Sequence, residues 1–251
     1  MKKKQKVNNT IIGIICGAII AIVGIVIAIV IVSKNNNSDD LYVQQQTDSN
    51  SSSNSGELQL SDSGWSYIQD TKWGNYVSFG VAIYNPVKGS VGSFPTIKVV
   101  GRDSNNKILF SDEFSCSLDY IYYGETLYCG GSVADQVEKP SKIEFNISVR
   151  SWKNESAVNY PRNTDFVIEN VSLYKEYTDI KFTGEIKNNS NVSINSAHIV
   201  TIFKKDGKIV GGYMSYSDSL NAKSSDTFQI YVSPIPDYDS YEITANVAMI
   251  N

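Results

Sequence analysis

Residues 11–32 form an unbroken run of 22 uncharged residues in which Cys16 is the only polar side chain. A helix of that length spans about 33 Å, enough for a bilayer hydrocarbon core of about 30 Å. The many Ile and Val residues lower helix propensity in water. In lipid every backbone N–H and C=O must pair within the segment, so the run predicts a transmembrane helix. A cleaved signal peptide has a shorter apolar region and small residues at the cut, whereas this run ends on Ile29, Val30, Ile31 and Val32. A lipid-modified Cys16 wants a small residue before it, and Ile15 stands there. The run is read as an uncleaved signal anchor.

Its flanks set the orientation. Lys2, Lys3, Lys4 and Lys6 precede the span, while Lys34 alone follows closely, with Asp39 and Asp40 beyond. The positive-inside rule then places residues 1–10 in the cytoplasm as a short tail and everything after Val32 outside. The whole chain carries 22 basic and 26 acidic residues. Setting aside the four leading lysines leaves 18 against 26, a net charge of −8 for the exterior part. Such a surface has no affinity for nucleic acid or anionic lipid, so the one expected lipid contact is through residues 11–32. Residues 33–61 are rich in Asn, Ser, Gln and Asp, with no sustained hydrophobic period. Such a segment buries too little apolar area to offset its ordering entropy and predicts a disordered stalk with a reach of roughly 30 Å.

Beyond the stalk the pattern is that of strands. In residues 179–189, Ile180, Phe182 and Ile186 alternate with Lys181, Thr183, Glu185 and Lys187 before an Asn-Asn turn. About a hundred residues earlier, Val77, Phe79, Val81 and Ile83 alternate before Asn85 and Pro86. Residues 198–210 hold a strand, an Asp206-Gly207 turn and the start of a second strand, and residues 96–109 do the same around Asn105 and Asn106. Residues 126–129 match 227–230. The alternation of Ile143, Phe145, Ile147 and Val149 matches that of Tyr241, Ile243, Ala245 and Val247. Five features in one order argue for a duplication. The expected fold is an all-β ectodomain of two tandem immunoglobulin-like antiparallel β-sandwiches after one N-terminal transmembrane helix. The first occupies 62–152 and the second 165–251, with a polar linker at 153–164 and limited freedom between them.

The second copy resembles a known family. Gly184, Glu185, Ile186, Asn188 and Asn189, then Val200, Ile202 and Phe203, then Asp206, Gly207, Lys208 and Ile209, look like the FxLYD domain. Residues 200–204 stand where the naming motif of that family falls, and the first copy is a weaker match. The resemblance implies an extracytoplasmic immunoglobulin-like module of Gram-positive bacteria, carried on single-pass membrane proteins or lipoproteins. It brings no catalytic residues.

The candidate sites are few. Cys116 is in phase with Phe114, and Cys129 with Leu127, so both point toward one core and a cross-strand disulfide is geometrically open to them; the alternative is two buried thiols. Tyr120, Tyr122 and Tyr123 cluster at a turn whose counterpart in the second copy is polar, which makes them candidate ligand contacts or an edge packed against the second domain. His198 starts a strand with no second His near it and is expected to be structural. Asp237 and Asp239 are turn formers or a calcium pair. Trp65, Trp73 and Trp152 cap a core or stack on sugar. The Asn-x-Ser/Thr tripeptides at Asn146, Asn154, Asn170, Asn188 and Asn191 are expected by chance in so Asn- and Ser-rich a chain. No nucleophile–base set, P-loop, dinucleotide fingerprint or Cys-x-x-Cys pair is present, and no cofactor or metal site is expected. These features predict a membrane-anchored, non-catalytic binding or assembly protein of the cell envelope, its partner an envelope protein or wall polymer. The competing reading is an extracytoplasmic enzyme accessory or a weak carboxylate-dependent hydrolase.

Overall fold

The computed structural model describes residues 56–70, 74–117, 119–133, 138–176 and 179–250. The tail expected at 1–10, the transmembrane helix expected at 11–32 and most of the stalk lie outside them. Among the described residues no helix is long and apolar enough to cross a membrane.

Almost none of the described residues are helix, and about two thirds are in strands. In chain order these are β1 (Gln59–Asp70), β2 (Gly74–Tyr84), β3 (Ser90–Ser93), β4 (Thr96–Arg102), β5 (Ile108–Ser115), β6 (Tyr120–Ile121), β7 (Thr126–Val133), β8 (Lys142–Ser148) and β9 (Ser151–Asn154). Two 3-10 turns, Glu155–Ala157 and Asn163–Asp165, lead to β10 (Phe166–Glu176), β11 (Asp179–Asn188), β12 (Ile194–Lys205), β13 (Lys208–Tyr216), β14 (Ser225–Val232) and β15 (Ser240–Ile250).

These strands form two pairs of antiparallel sheets with one topology. The first pair is β1-β2-β7 and β5-β4-β8; the second is β10-β11-β14 and β13-β12-β15. Strand for strand, β1 corresponds to β10, β2 to β11, β4 to β12, β5 to β13, β7 to β14 and β8 to β15. Each repeated sequence feature falls on the corresponding strand. The small sheet β6-β3-β9 has no counterpart in the second half. Within each pair the inward residues of both sheets meet in one core. Phe79, Val81, Ile83, Ile97, Val99 and Leu127 are fully buried in the first. Phe182, Ile186, Ile199 and Phe203 are fully buried in the second. The result is β-sandwich-like, with period-2 alternation supplying each inward face.

The strand ends follow local chemistry. Asp206 and Gly207 both have positive φ, 51° and 73°, the two-residue turn whose twist suits a hairpin between β12 and β13. Asn85 and Asn188 end β2 and β11 and make matching bonds. Asn85 Nδ2 donates to Ser90 O and Ile121 O, and its Oδ1 accepts from Val87 N. Asn188 Nδ2 donates to Val192 O and Asn221 O, and its Oδ1 accepts from Ser190 N. Both side chains are fully buried. Each closes its loop onto a distant hairpin by satisfying backbone groups that would otherwise be orphaned.

The two sheet pairs are stacked on each other. The face of β2 turned away from its own core carries Ser78, Gly80 and Ala82. It packs on the second pair, so every residue from Val77 to Ile83 is buried. On the other side Val200, Ile202 and Ile209 form an apolar cluster with Tyr128 of β7 and Met214. The backbones nearly touch. A Cβ on Gly130 would lie 2.6 Å from Tyr213 N and 2.8 Å from Gly212 Cα, so any side chain there forces the sheets apart. Polar bonds cross the seam: Ser66 Oγ donates to Val210 O at 2.6 Å, and Asn246 Nδ2 to Tyr128 O at 2.7 Å.

Two expected boundaries move. The stretch assigned to the stalk ends earlier, because Gln59 pairs with Tyr84, Leu60 pairs with Ile83, and Leu58 packs on the first core. The linker expected at 153–164 overlaps a strand at its start and is partly buried. Lys153 and Asn154 belong to β9, paired with Val91 and Ser90, and Pro161 and Asn163 are buried.

Candidate functional site

Cys116 immediately follows β5 and Cys129 lies in β7, so the pair faces across two sheets of one core rather than across one hairpin. This corrects the cross-strand geometry expected from the sequence. Both residues are present as thiols and fully buried. They are neighbours in the same core cluster, and burial, reinforced by Cys129, pushes the Cys116 thiol well above its ordinary value.

The tyrosine turn divides. Tyr120 and Tyr122 are buried, and only Tyr123 faces solvent, at 41% exposure. Tyr120 and Tyr122 turn inward because the chain returns over the turn after β9. Tyr160 stacks on Tyr120 with ring centroids 5.0 Å apart, and Tyr122 Oη donates to Tyr160 O at 2.9 Å. Lys153 Nζ donates to Tyr120 Oη at 2.7 Å, and the Arg162 guanidinium lies 4.5 Å over the Tyr122 ring. Burial raises the Tyr122 phenol above its ordinary value.

Beneath this turn lies a buried polar junction that sequence reasoning missed. Glu125 Oε2 accepts from Tyr122 N and Asn163 Nδ2, and its Oε1 accepts from Asn163 N. Burial raises the Glu125 carboxyl, while those donors and Arg162 pull it back. Asn163 Oδ1 in turn accepts from Val247 N at 2.8 Å, so one amide joins both sheet pairs. Asn163 lies in a polar connecting segment, and nothing local marks it as central.

His198, expected at the start of a strand, lies within β12 and is fully buried. Its Nδ1 lies 3.1 Å from Cys116 O, its ring meets Tyr216 edge-on at 4.6 Å, and burial lowers its pKa. Asp239 Oδ2 accepts from Asp206 N at 2.7 Å and Asp237 pairs with Lys205, so both carboxylates hold the β12–β13 turn. Among the described residues no group of three His, Cys, Asp or Glu is placed to hold a metal ion. Trp65 is half-buried against the first core and Trp152 is half-buried in β9; Trp73 lies outside the described residues. Of the tripeptide asparagines, Asn188 is the buried loop anchor.

Among the described residues a second exposed aromatic arrangement lies on the outer face of β10-β11-β14. Register places Tyr174 beside Lys181 and Lys181 beside Tyr231, forming one rung across three strands. Tyr174 is 50% exposed and Tyr231 55%. Lys181 Nζ lies 5.1 Å from the Tyr174 ring centroid and 5.9 Å from that of Tyr231. With β11 between them, the two tyrosines stand about 10 Å apart. The next rungs bring Ser172, Thr183 and Gln229 together, then Glu169, Glu185 and Thr227. Gln229 Nε2 donates to Tyr231 Oη. A shallow groove of about 580 Å³ adjoins them, lined among others by Asn170, Thr183, Glu185, Asp218, Thr227 and Gln229. Chemically this is a rigid platform of two flat rings and one cation, beside a row of hydroxyls, amides and carboxylates. No protein-family model matches the chain, and no curated protein matches it.

Proposed function

We propose that the chain is a non-catalytic binding or assembly protein of the cell envelope. In this reading it is anchored by residues 11–32 with its N-terminus in the cytoplasm. Its extracellular part is two immunoglobulin-like sandwiches, the second similar to the FxLYD domain. The single observation that carries the binding role is the exposed Tyr174–Lys181–Tyr231 rung. Large aromatic side chains left in water on a flat, rigid sheet are enriched where proteins meet partners, because they offer area with little rotamer entropy to lose. A wall polymer is the partner class the face suits best. Sugar rings present C–H faces to the tyrosines and hydroxyls to Thr183, Gln229 and Glu185.

The test is retention on isolated cell envelope and on purified wall polysaccharide, for the intact chain and for Tyr174→Ser/Tyr231→Ser. Each ring is worth about 1 kcal/mol, so the double variant should bind about tenfold or more weakly. Tyr123→Ser serves as the control and should bind as the parent does. Equal retention of the parent and the double variant would remove this face from the binding reading.

A further inference from the structure

Cys116 and Cys129, both buried in the first core, carry a consequence that does not depend on what the outer face binds. Cys129 sits in the edge strand of β1-β2-β7, opposite Val81. Cys116 sits where β5 leaves its sheet, its N–H donating to Pro95 O at 3.0 Å. The two thiols are thus neighbours in one buried core, contributed from the two facing sheets of the first pair. The residues around Cys116 also dock the second sheet pair. The carbonyl of Cys116 meets His198 Nδ1 at 3.1 Å, and Ser117 Oγ donates to Val247 O at 2.5 Å. We propose that Cys116 and Cys129 are a redox modification site, joined by a disulfide that pins the two sheets and fixes the segment on which the second sheet pair rests.

The bond forms by thiol–disulfide exchange. One cysteine thiolate attacks a sulfur of an exchangeable disulfide, such as oxidised glutathione, and releases one thiol of that donor. The second cysteine then displaces the remaining donor thiol, so two protein thiols become one disulfide and the donor is reduced to two thiols. Only the thiolate attacks. Full burial raises the Cys116 thiol and shuts out the donor, so exchange belongs to folding, before the core closes. Once formed, the bond is shielded from reductant by the same burial.

The experiment unfolds the full chain under reducing conditions and refolds it in detergent with a reduced and oxidised glutathione pair. Free thiols are then alkylated in denaturant and the digest is mapped by mass. The expected product is a linked peptide pair containing Cys116 and Cys129, with Cys16 alkylated. Reducing the refolded protein in mild denaturant should lower its thermal midpoint by on the order of 10 °C, the size expected for closing a loop of this length. It should also speed hydrogen exchange in residues 115–117 and 197–199 together. Cys116→Ala/Cys129→Ala should show no response to reductant. Full alkylation of both cysteines in the refolded protein, or linkage of either to Cys16, overturns the proposal. A linked protein whose exchange at 197–199 ignores reduction overturns the docking role.

Discussion

Asn85 and Asn188 each place a fully buried amide at the end of a strand, where it satisfies two carbonyls and one N–H from separate loops. Replacing either by Ala leaves three buried backbone groups without that partner. The net loss should be about 2–4 kcal/mol each, read as a shift in the denaturant midpoint. A change below about 0.5 kcal/mol would show that the loops re-pair without the amide. His198 acts through its charge state. Burial lowers its pKa below the value near 6.5 of an unfolded imidazole. Between those two values the unfolded chain holds a proton that the folded chain refuses, so stability is full above about pH 6.5 and is lost on acidification below it. Glu125 has the opposite sense. Its raised carboxyl contributes most below the unfolded value and progressively less as pH rises through the folded one. Because the two trends oppose, the informative quantity is a difference. Thermal midpoints measured from about pH 5 to about pH 7.5 should fall on acidification more steeply in the parent than in His198→Gln, and parallel curves would refute the assignment.

At the scale of elements, what the sequence displayed was the inward half of each strand. Val77, Phe79, Val81 and Ile83 alternate because the core of β1-β2-β7 and β5-β4-β8 demands it, and the hairpin turn at Asp206-Gly207 needs two residues that accept positive φ. The outward half was ambiguous. Ser78, Gly80 and Ala82 are as acceptable on a wet face as on one pressed against a second sheet, since only small residues permit that approach. The stacking of the two sheet pairs therefore left no periodic signal. Tyr120 and Tyr122 look like a hairpin tip from local pattern alone, because the segment that covers them, through Tyr160 and Arg162, is forty residues away. The Tyr174–Lys181–Tyr231 rung was equally invisible. Each residue is an ordinary outward position of its own strand, and only inter-strand register, fixed by the bulge between Glu169 and Ser172, aligns them.

For the whole described region the decisive quantity is the coupling between the two cores. Each core has its own apolar cluster, and each could in principle melt by itself. They are joined by the Val200–Ile202–Ile209–Tyr128 cluster, the Asn163 bridge and close backbone contact at Gly130. Breaking that seam exposes apolar surface on both sides. It also orphans Val247 N and Tyr128 O, whose partners lie across it, so a state with one half unfolded loses both terms. Coupling of several kcal/mol is a large fraction of what a domain of this size holds in reserve, so the two halves should unfold in one calorimetric transition with matching calorimetric and van 't Hoff enthalpies. Gly130→Val tests the cause. Its side chain points at the Tyr213 and Gly212 backbones and away from either core, so it should separate the sheets without emptying a core. Overpacking of this kind costs about 1–3 kcal/mol or more, taken almost wholly from the seam. The variant should show two transitions where the parent shows one. A single transition merely shifted to lower temperature would mean that the halves are coupled through the Asn163 junction and not through the glycine contact.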